Sequence, residues 1–214
     1  MKQRLQTAFE FLLVLCALIV TFLVVRRELF LNRTNRDIKN VEHWQKLLTE
    51  GGHWFGKRDA PVKIIEFSDF ECPFCRTLKE SLDTVLGEYK DKVALIQCNF
   101  PLSIHPHAYE AAMAAECVSK LGDYSRFYQA IYKQQDSLGK ESWKNMARSA
   151  RVSDIAVFTK CMEDSEIRSV VDREVQIGKE IGVDGTPTLI INGRMVSGAM
   201  SSAQLITLIN RFSK

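Results

Sequence analysis

The feature that most constrains this chain is a pair of cysteines, Cys72-Pro73-Phe74-Cys75, set where a strand pattern hands over to a helix pattern. Upstream, Val62-Lys63-Ile64-Ile65-Glu66-Phe67 is rich in β-branched residues and reads as a strand. Downstream, Leu78, Leu82, Val85, Leu86 and Tyr89 recur at three-and-four spacing, which predicts a helix over 76–89. A thiolate at a helix N-terminus is stabilised by unpaired backbone N–H groups and by the positive end of the helix dipole. The thiolate is the nucleophile, so attack on a disulfide, or departure from one, is assigned to Cys72. Cys75, one turn later and more buried, is then the resolving thiol. Pro73 suits the first helical turn, where its missing N–H is not needed. The competing use of such a motif is half of a zinc site, which needs a second pair of ligands. Cys98, Cys117 and Cys161 stand singly and His105-Pro106-His107 is the sole close histidine pair, so the spacing favours redox chemistry, with no metal and no cofactor.

A second element lies far along the chain, at Gly185-Thr186-Pro187-Thr188, directly before the apolar run Leu189-Ile190-Ile191. A central strand cannot spare an N–H, so Pro187 belongs at its first residue, where a cis bond would turn the chain sharply. Asn192-Gly193 predicts a two-residue hairpin turn into Arg194-Met195-Val196-Ser197. A closing helix follows, with Ser201 and Gln204 as a capping box and Leu205, Leu208, Ile209 and Phe212 as its apolar stripe.

A strand, a CxxC at a helix start, a proline-led hairpin and a closing helix together resemble the α/β thioredoxin fold. VKIIEFSDFECPFC (62–75), NFPLSIHPHA (99–108) and GVDGTPTLIING (182–193) are similar to segments of the DsbA-like branch of thiol-disulfide oxidoreductases, and the resemblance covers about residues 53–214. It implies that Glu66 is a buried acid assisting proton transfer at Cys75, although alternation along the strand would also allow Glu66 to face solvent. It implies that Thr186 and Pro187 lie against the dithiol, where the Thr186 backbone pairs with an extended substrate. It implies a second, non-catalytic disulfide between Cys117 and Cys161; two buried free thiols are the alternative. Phe74 departs from the strongly oxidising members, which carry a histidine between the cysteines, and its presence predicts a less oxidising couple. Cys98 reads as an unpaired core residue, and His105 and His107 as braces for the next helix.

Between Cys75 and Pro187 lie 111 residues, more than a minimal thioredoxin domain needs, and most read as helix: 107–121, 124–135, 142–149, 153–162 capped by Ser153, and a last one through Ile167, Val171, Val175, Gly178 and Ile181. An inserted helical domain accounts for the excess. Val41, Trp44, Leu47 and Leu48 predict a short helix before Gly51-Gly52.

At the N-terminus Lys2 and Arg4 precede an uncharged run from Phe11 to Val25, closed by Arg26 and Arg27. Fifteen residues rise about 22 Å, short of a hydrocarbon core of roughly 30 Å, and a start at Thr7 gives nineteen residues. The bulky Phe22-Leu23-Val24-Val25 disfavours signal cleavage, and Leu15 before Cys16 disfavours a lipid-modified cysteine. A single uncleaved transmembrane anchor is therefore favoured over a cleaved signal and over a buried helix. Residues 1–40 carry seven Lys/Arg against three Asp/Glu, which leaves 22 against 23 for the remainder of the 214-residue chain. A folded part without basic excess argues against nucleic-acid binding.

The expected organisation is an N-terminal membrane anchor (1–27), a polar linker (28–40), a thioredoxin-like domain (41–104 and 182–214) and an inserted helical domain (105–181). The expected activity is disulfide exchange with extracytoplasmic, cysteine-containing protein substrates, in the bacterial periplasm or at the outer face of the cytoplasmic membrane, with Cys72/Cys75 acting as an oxidase. A membrane redox partner resets the dithiol. Alternatives are a reductase or isomerase of the same fold, or a non-catalytic membrane-tethered peptide-binding or chaperone module.

Overall fold

The computed structural model describes residues 13–26, 38–49 and 51–212. The chain divides into two compact units, Met1–Ile38 and Lys39–Lys214. In the first, residues 13–26 form helix α1, with Leu18, Phe22 and its other large apolar side chains exposed. No helix among the described residues is long and apolar enough to cross a membrane. The anchor expected over 1–27 runs past the described residues at both ends, and residues 28–37 of the expected linker lie outside them.

The second unit is built on a six-stranded sheet of order β1-β6-β5-β3-β4-β2. Its centre is β3 (Val62–Ser68), parallel to β4 (Val93–Asn99) and antiparallel to β5 (Thr188–Ile191). β3 is covered on both faces, so its side chains do not alternate between core and solvent: all but Lys63 are buried. Sheet register sets Glu66 between Gln97 and Leu189. The Asn192-Gly193 turn, with φ of 44° and 84°, carries β5 into β6 (Arg194–Ser197), and the Asn192 side chain accepts a hydrogen bond from the Lys63 N–H at 2.8 Å.

The two edge strands are short and were not visible as patterns. Lys39–Asn40, read as the end of the linker, form β1 and pair with β6; His53–Phe55 form β2 and pair with β4. The helix expected over 41–48 is a single 3-10 segment, Trp44–Leu48, that buries Leu47.

Helix α2 (Pro73–Glu88) follows β3 and buries Cys75, Leu78, Leu82 and Val85. Five helices then intervene between β4 and β5: α3 (Ala108–Leu121), α4 (Tyr124–Lys133), α5 (Trp143–Ser149), α6 (Ile155–Met162) and α7 (Ser165–Ile181). The cap of α6 is Asp154 rather than the expected Ser153; its carboxylate accepts from the N–H groups of Ala156 (2.9 Å) and Val157 (3.0 Å), which a serine one residue earlier would not reach. Cys117 of α3 and Cys161 of α6 form a disulfide with a Cα–Cα distance of 5.8 Å. α7 ends on Gly182 at φ 91°, and the closing α8 (Ser202–Phe212) begins with Ser201 and Gln204 capping each other.

The apolar core continues from these helices into the CxxC segment. Phe70, Cys72 and Cys75 belong to one buried cluster with Phe127, Tyr128, Ile131 and Tyr132 of α4. Burial of each such large side chain stabilises the fold by about 1.5–3 kcal/mol. The helices between β4 and β5 thus hold one side of the dithiol directly.

Candidate active site

Cys72 is the N-cap of α2, with extended backbone angles (φ −73°, ψ 120°), and Pro73 opens the helix after it. The Cys72 carbonyl accepts the first helical bonds, from the N–H groups of Cys75 at 3.1 Å and Arg76 at 3.3 Å. Cys72 retains a 3% sliver of exposure and Cys75 has none, so an incoming sulfur can reach only the first of the pair. Both are free thiols.

Their environments push the two apart. The Cys72 pKa falls from 9.0 to about 5, chiefly because the Cys75 thiol donates to its sulfur. Partial burial opposes that fall, while the Thr186 side chain and the backbone N–H groups of Cys75 and Phe74 assist it. Cys75 is driven well above its ordinary value, first by burial and then by the neighbouring Cys72 and the Glu66 charge. The Asp69 N–H, 3.5 Å from the Cys75 sulfur, offsets this only in part.

The distant proline motif reaches the same place. The Thr186–Pro187 bond is cis, and the Cys72 thiol points at the Thr186 carbonyl, 3.5 Å away. Pro187 is buried and Thr186 half-buried. Phe74 projects outward, 64% exposed.

Glu66 is fully buried and does not face solvent. Burial raises its pKa to about 8, against a hydrogen bond from the Tyr128 hydroxyl at 3.3 Å that favours the charged form. With its pKa near 8 the Glu66 carboxyl keeps its proton at neutral pH, and it pushes the Cys75 thiol up only when it ionises.

The 99–108 segment clamps the turn before Cys72. Asp69, fully buried, accepts from the Leu102 N–H (2.8 Å) and the Glu71 N–H (2.7 Å) and lies 2.7 Å from His105 Nδ1. Glu71 in turn accepts from the His107 N–H at 2.7 Å. His105 therefore braces the active-site turn as well as the approach to α3. His107 is the N-cap of α3 but makes no side-chain cap bond; its ring lies over Gly139, where a Cβ would stand 2.1 Å from Nε2.

Two groups of buried polar residues near the site carry no sequence signal. Gln135, after α4, donates to the carbonyls of Phe70 (2.8 Å) and Cys72 (3.0 Å). On the far end of β4, Asn99 bridges two buried carboxylates, Glu116 (2.7 Å) and Glu174 (2.9 Å); Glu116 also holds His53, and Glu174 the Gly52 N–H. A groove of about 930 Å³ includes Arg76 and Lys79 but neither cysteine. Three of its four basic side chains are matched by acids: Arg76 by Asp136, Lys79 by Asp83 and Arg126 by Asp123.

Residues 48–211 match the family model described as thioredoxin. The chain is 33% identical over 153 residues to the probable disulfide bond formation protein D of Bacillus anthracis, a match spanning 66% of this chain and 70% of that protein. It is also 31% identical over 162 residues to the Na(+)/H(+) antiporter NhaA 1 of Mycolicibacterium gilvum, covering 73% of this chain. The chain spans about a quarter of the length of the antiporter relatives it matches (26%). Among solved structures, BdbD of Bacillus subtilis superposes with a TM-score of 0.70 at 18% identity, covering 84% of this chain and 99% of that one. With the dithiol at a helix start and the cis-proline loop facing it, the chain belongs to the thioredoxin family.

Proposed function

We propose that the protein is an oxidase that passes its Cys72–Cys75 disulfide to extracytoplasmic proteins bearing pairs of thiols. The observation that carries this reading is the placement of the pair, Cys72 capping the start of α2 and Cys75 wholly buried one turn on, which lowers the first thiol to about 5 and raises the second well above its ordinary value. A stabilised thiolate makes the reduced form the comfortable one and Cys72 a good leaving group, which is what an oxidising couple requires. The name of the Bacillus relative, disulfide bond formation protein D, points the same way.

In this reading a substrate thiolate attacks Cys72 and the Cys72–Cys75 bond breaks. Cys75 leaves with the electron pair and takes a proton from Glu66, protonated up to a pH of about 8. The substrate's second thiolate then attacks its own sulfur in the mixed disulfide, and Cys72 departs as a thiolate. Thr186 offers its carbonyl to an extended substrate backbone, Pro187 shapes that loop, Pro73 starts the helix, and exposed Phe74 meets the substrate surface. No cofactor takes part, and a membrane redox partner reoxidises the dithiol.

The Cys117–Cys161 crosslink supports an oxidising compartment, since such bonds persist outside the cytoplasm. Residues 1–27 act as a membrane anchor and the polar stretch after it, expected over 28–40 but ending before the Lys39–Asn40 strand, as its linker, supported by the basic-flanked apolar run. The five helices between β4 and β5 fit an inserted domain over 105–181 within a thioredoxin-like domain of 41–104 and 182–214. The test is equilibration of the full chain against glutathione buffers, together with thiol trapping in cells. A couple more oxidising than the surrounding pool, found mainly as the disulfide, supports the oxidase. A couple held reduced in cells assigns it to the reductive or isomerising direction.

A further inference from the structure

Asp69 is the first residue past β3, and its backbone meets both cysteines. Its carbonyl accepts from the Cys72 N–H at 3.1 Å, and its own N–H points at the Cys75 sulfur, 3.5 Å away. That N–H shares a peptide unit with the Ser68 carbonyl, which accepts from the Phe100 N–H at 2.8 Å. A planar trans peptide carries these two groups on opposite sides, so fixing the carbonyl aims the N–H.

The buried side chain of Asp69 does more than make a turn. Its Oδ1 accepts from the Glu71 N–H at 2.7 Å, the local bond by which an aspartate shapes a turn. Its Oδ2 serves nothing local: it accepts from the Leu102 N–H at 2.8 Å and lies 2.7 Å from His105 Nδ1, 33 and 36 positions along the chain. A carboxylate accepts, so His105 donates from Nδ1. One oxygen is thus explained by the turn, while the other ties the Asp69 backbone to the 99–108 segment. When the Cys72–Cys75 disulfide opens, negative charge appears on Cys75, and a donor already in place there lowers the barrier as an oxyanion hole does. Burial, then Cys72 and the Glu66 charge, push the Cys75 thiol up; the Asp69 N–H pulls the other way, as a bond to the charged sulfur does.

We propose that the Asp69 N–H is the donor that receives the departing Cys75 thiolate, and that His105 is the positioning residue which, through the Asp69 carboxylate, keeps that N–H on the sulfur. This rests on the dithiol reading above. An attacking thiolate bonds to the Cys72 sulfur, the Cys72–Cys75 bond breaks, and its electron pair settles on Cys75, facing the Asp69 N–H, until the Glu66 proton reaches it. Asp69 keeps its own proton throughout, so its part is separate from that of Glu66.

The test is the rate at which dithiothreitol opens the disulfide of the oxidised full chain at neutral pH, measured beside the urea midpoint of each variant. Dithiothreitol supplies both electrons and ends as its cyclic disulfide. His105→Phe keeps a ring but loses the donor, and should react about 10-fold more slowly, the lower end of what a hydrogen bond to a charged group contributes. His105→Asn, whose amide nitrogen hangs from Cγ as Nδ1 does, should recover most of that loss. A His105→Phe rate equal to wild type overturns the proposal, and if its urea midpoint has fallen the residue only braces the turn. A slow rate that His105→Asn fails to recover also overturns it, because the ring and not the Nδ1–H bond then matters. If His105→Phe does not fold, Asp69→Asn turns an amide N–H toward one of the donors at nearly unchanged volume and should show the same loss; a wild-type rate there overturns the proposal. Failure of the dithiol reading is separate: no glutathione buffer would then yield a Cys72–Cys75 disulfide in wild type.

Discussion

Gln135 holds the carbonyl of Cys72 at 3.0 Å with the same amide nitrogen that holds Phe70 at 2.8 Å, so a side chain 63 positions away helps set the backbone of Cys72. Gln135→Leu leaves the buried Phe70 carbonyl short of a donor and the Cys72 carbonyl with only its helical bonds from Cys75 and Arg76. The expected outcome is a loss of about 1–3 kcal/mol in urea unfolding and a slower exchange rate, because the N-cap geometry is no longer imposed from α4's end. An unfolding midpoint and rate both equal to wild type would falsify this role.

Cys72 should be the one thiol of the pair that reacts at mildly acid pH. With its pKa near 5 and Cys75 well above 9, iodoacetamide at pH 6 should modify Cys72 while sparing Cys75, and the rate should titrate with a midpoint of about 5. Peptide mass spectrometry locates the adduct. A midpoint near the ordinary 9.0 means that neither the Cys75 thiol nor the helix start stabilises the thiolate.

Glu66 makes stability depend on pH in a defined direction. Its folded pKa of about 8 exceeds the unfolded 4.5, so the folded chain binds the proton more tightly. The contribution is complete below 4.5 and is lost as pH rises through about 8. Between these limits reduced wild type should lose up to about 4 kcal/mol relative to reduced Glu66→Gln, read as diverging urea midpoints. Parallel midpoints across that window count against a neutral buried Glu66.

The Cys117–Cys161 bond closes a loop of 44 residues, for which chain entropy predicts about 4 kcal/mol of stabilisation. The double change to alanine should lower the unfolding midpoint accordingly while leaving the Cys72 alkylation midpoint unmoved, since the crosslink joins α3 to α6. A shifted Cys72 midpoint would show that the crosslink also shapes the dithiol.

What was legible in the sequence was chemistry confined to neighbours: the strand-to-helix handover at Cys72, the proline at the head of β5, the Asn192-Gly193 turn and the Ser201–Gln204 box each draw their meaning from residues a few positions apart. Glu66 was ambiguous because alternation loses its information in a strand buried on both faces. β1 and β2 escaped notice because two or three residues joined by backbone bonds leave no periodicity. Gln135, and the Asn99 cluster with His53, Glu116 and Glu174, unite positions scattered along the chain. A glutamine is polar wherever it falls, and nothing local marks the one that bonds the Cys72 carbonyl.

The sheet ends on a strand of two residues at one edge and of three at the other. Short borders of this kind give an unfolded polypeptide little to zip onto, which guards against aggregation. An oxidase of unfolded proteins, the function proposed above, would meet that hazard constantly. With both borders brief and the Thr186 carbonyl 3.5 Å from the Cys72 sulfur, an extended client backbone would find its pairing edge beside the sulfur rather than along the rim.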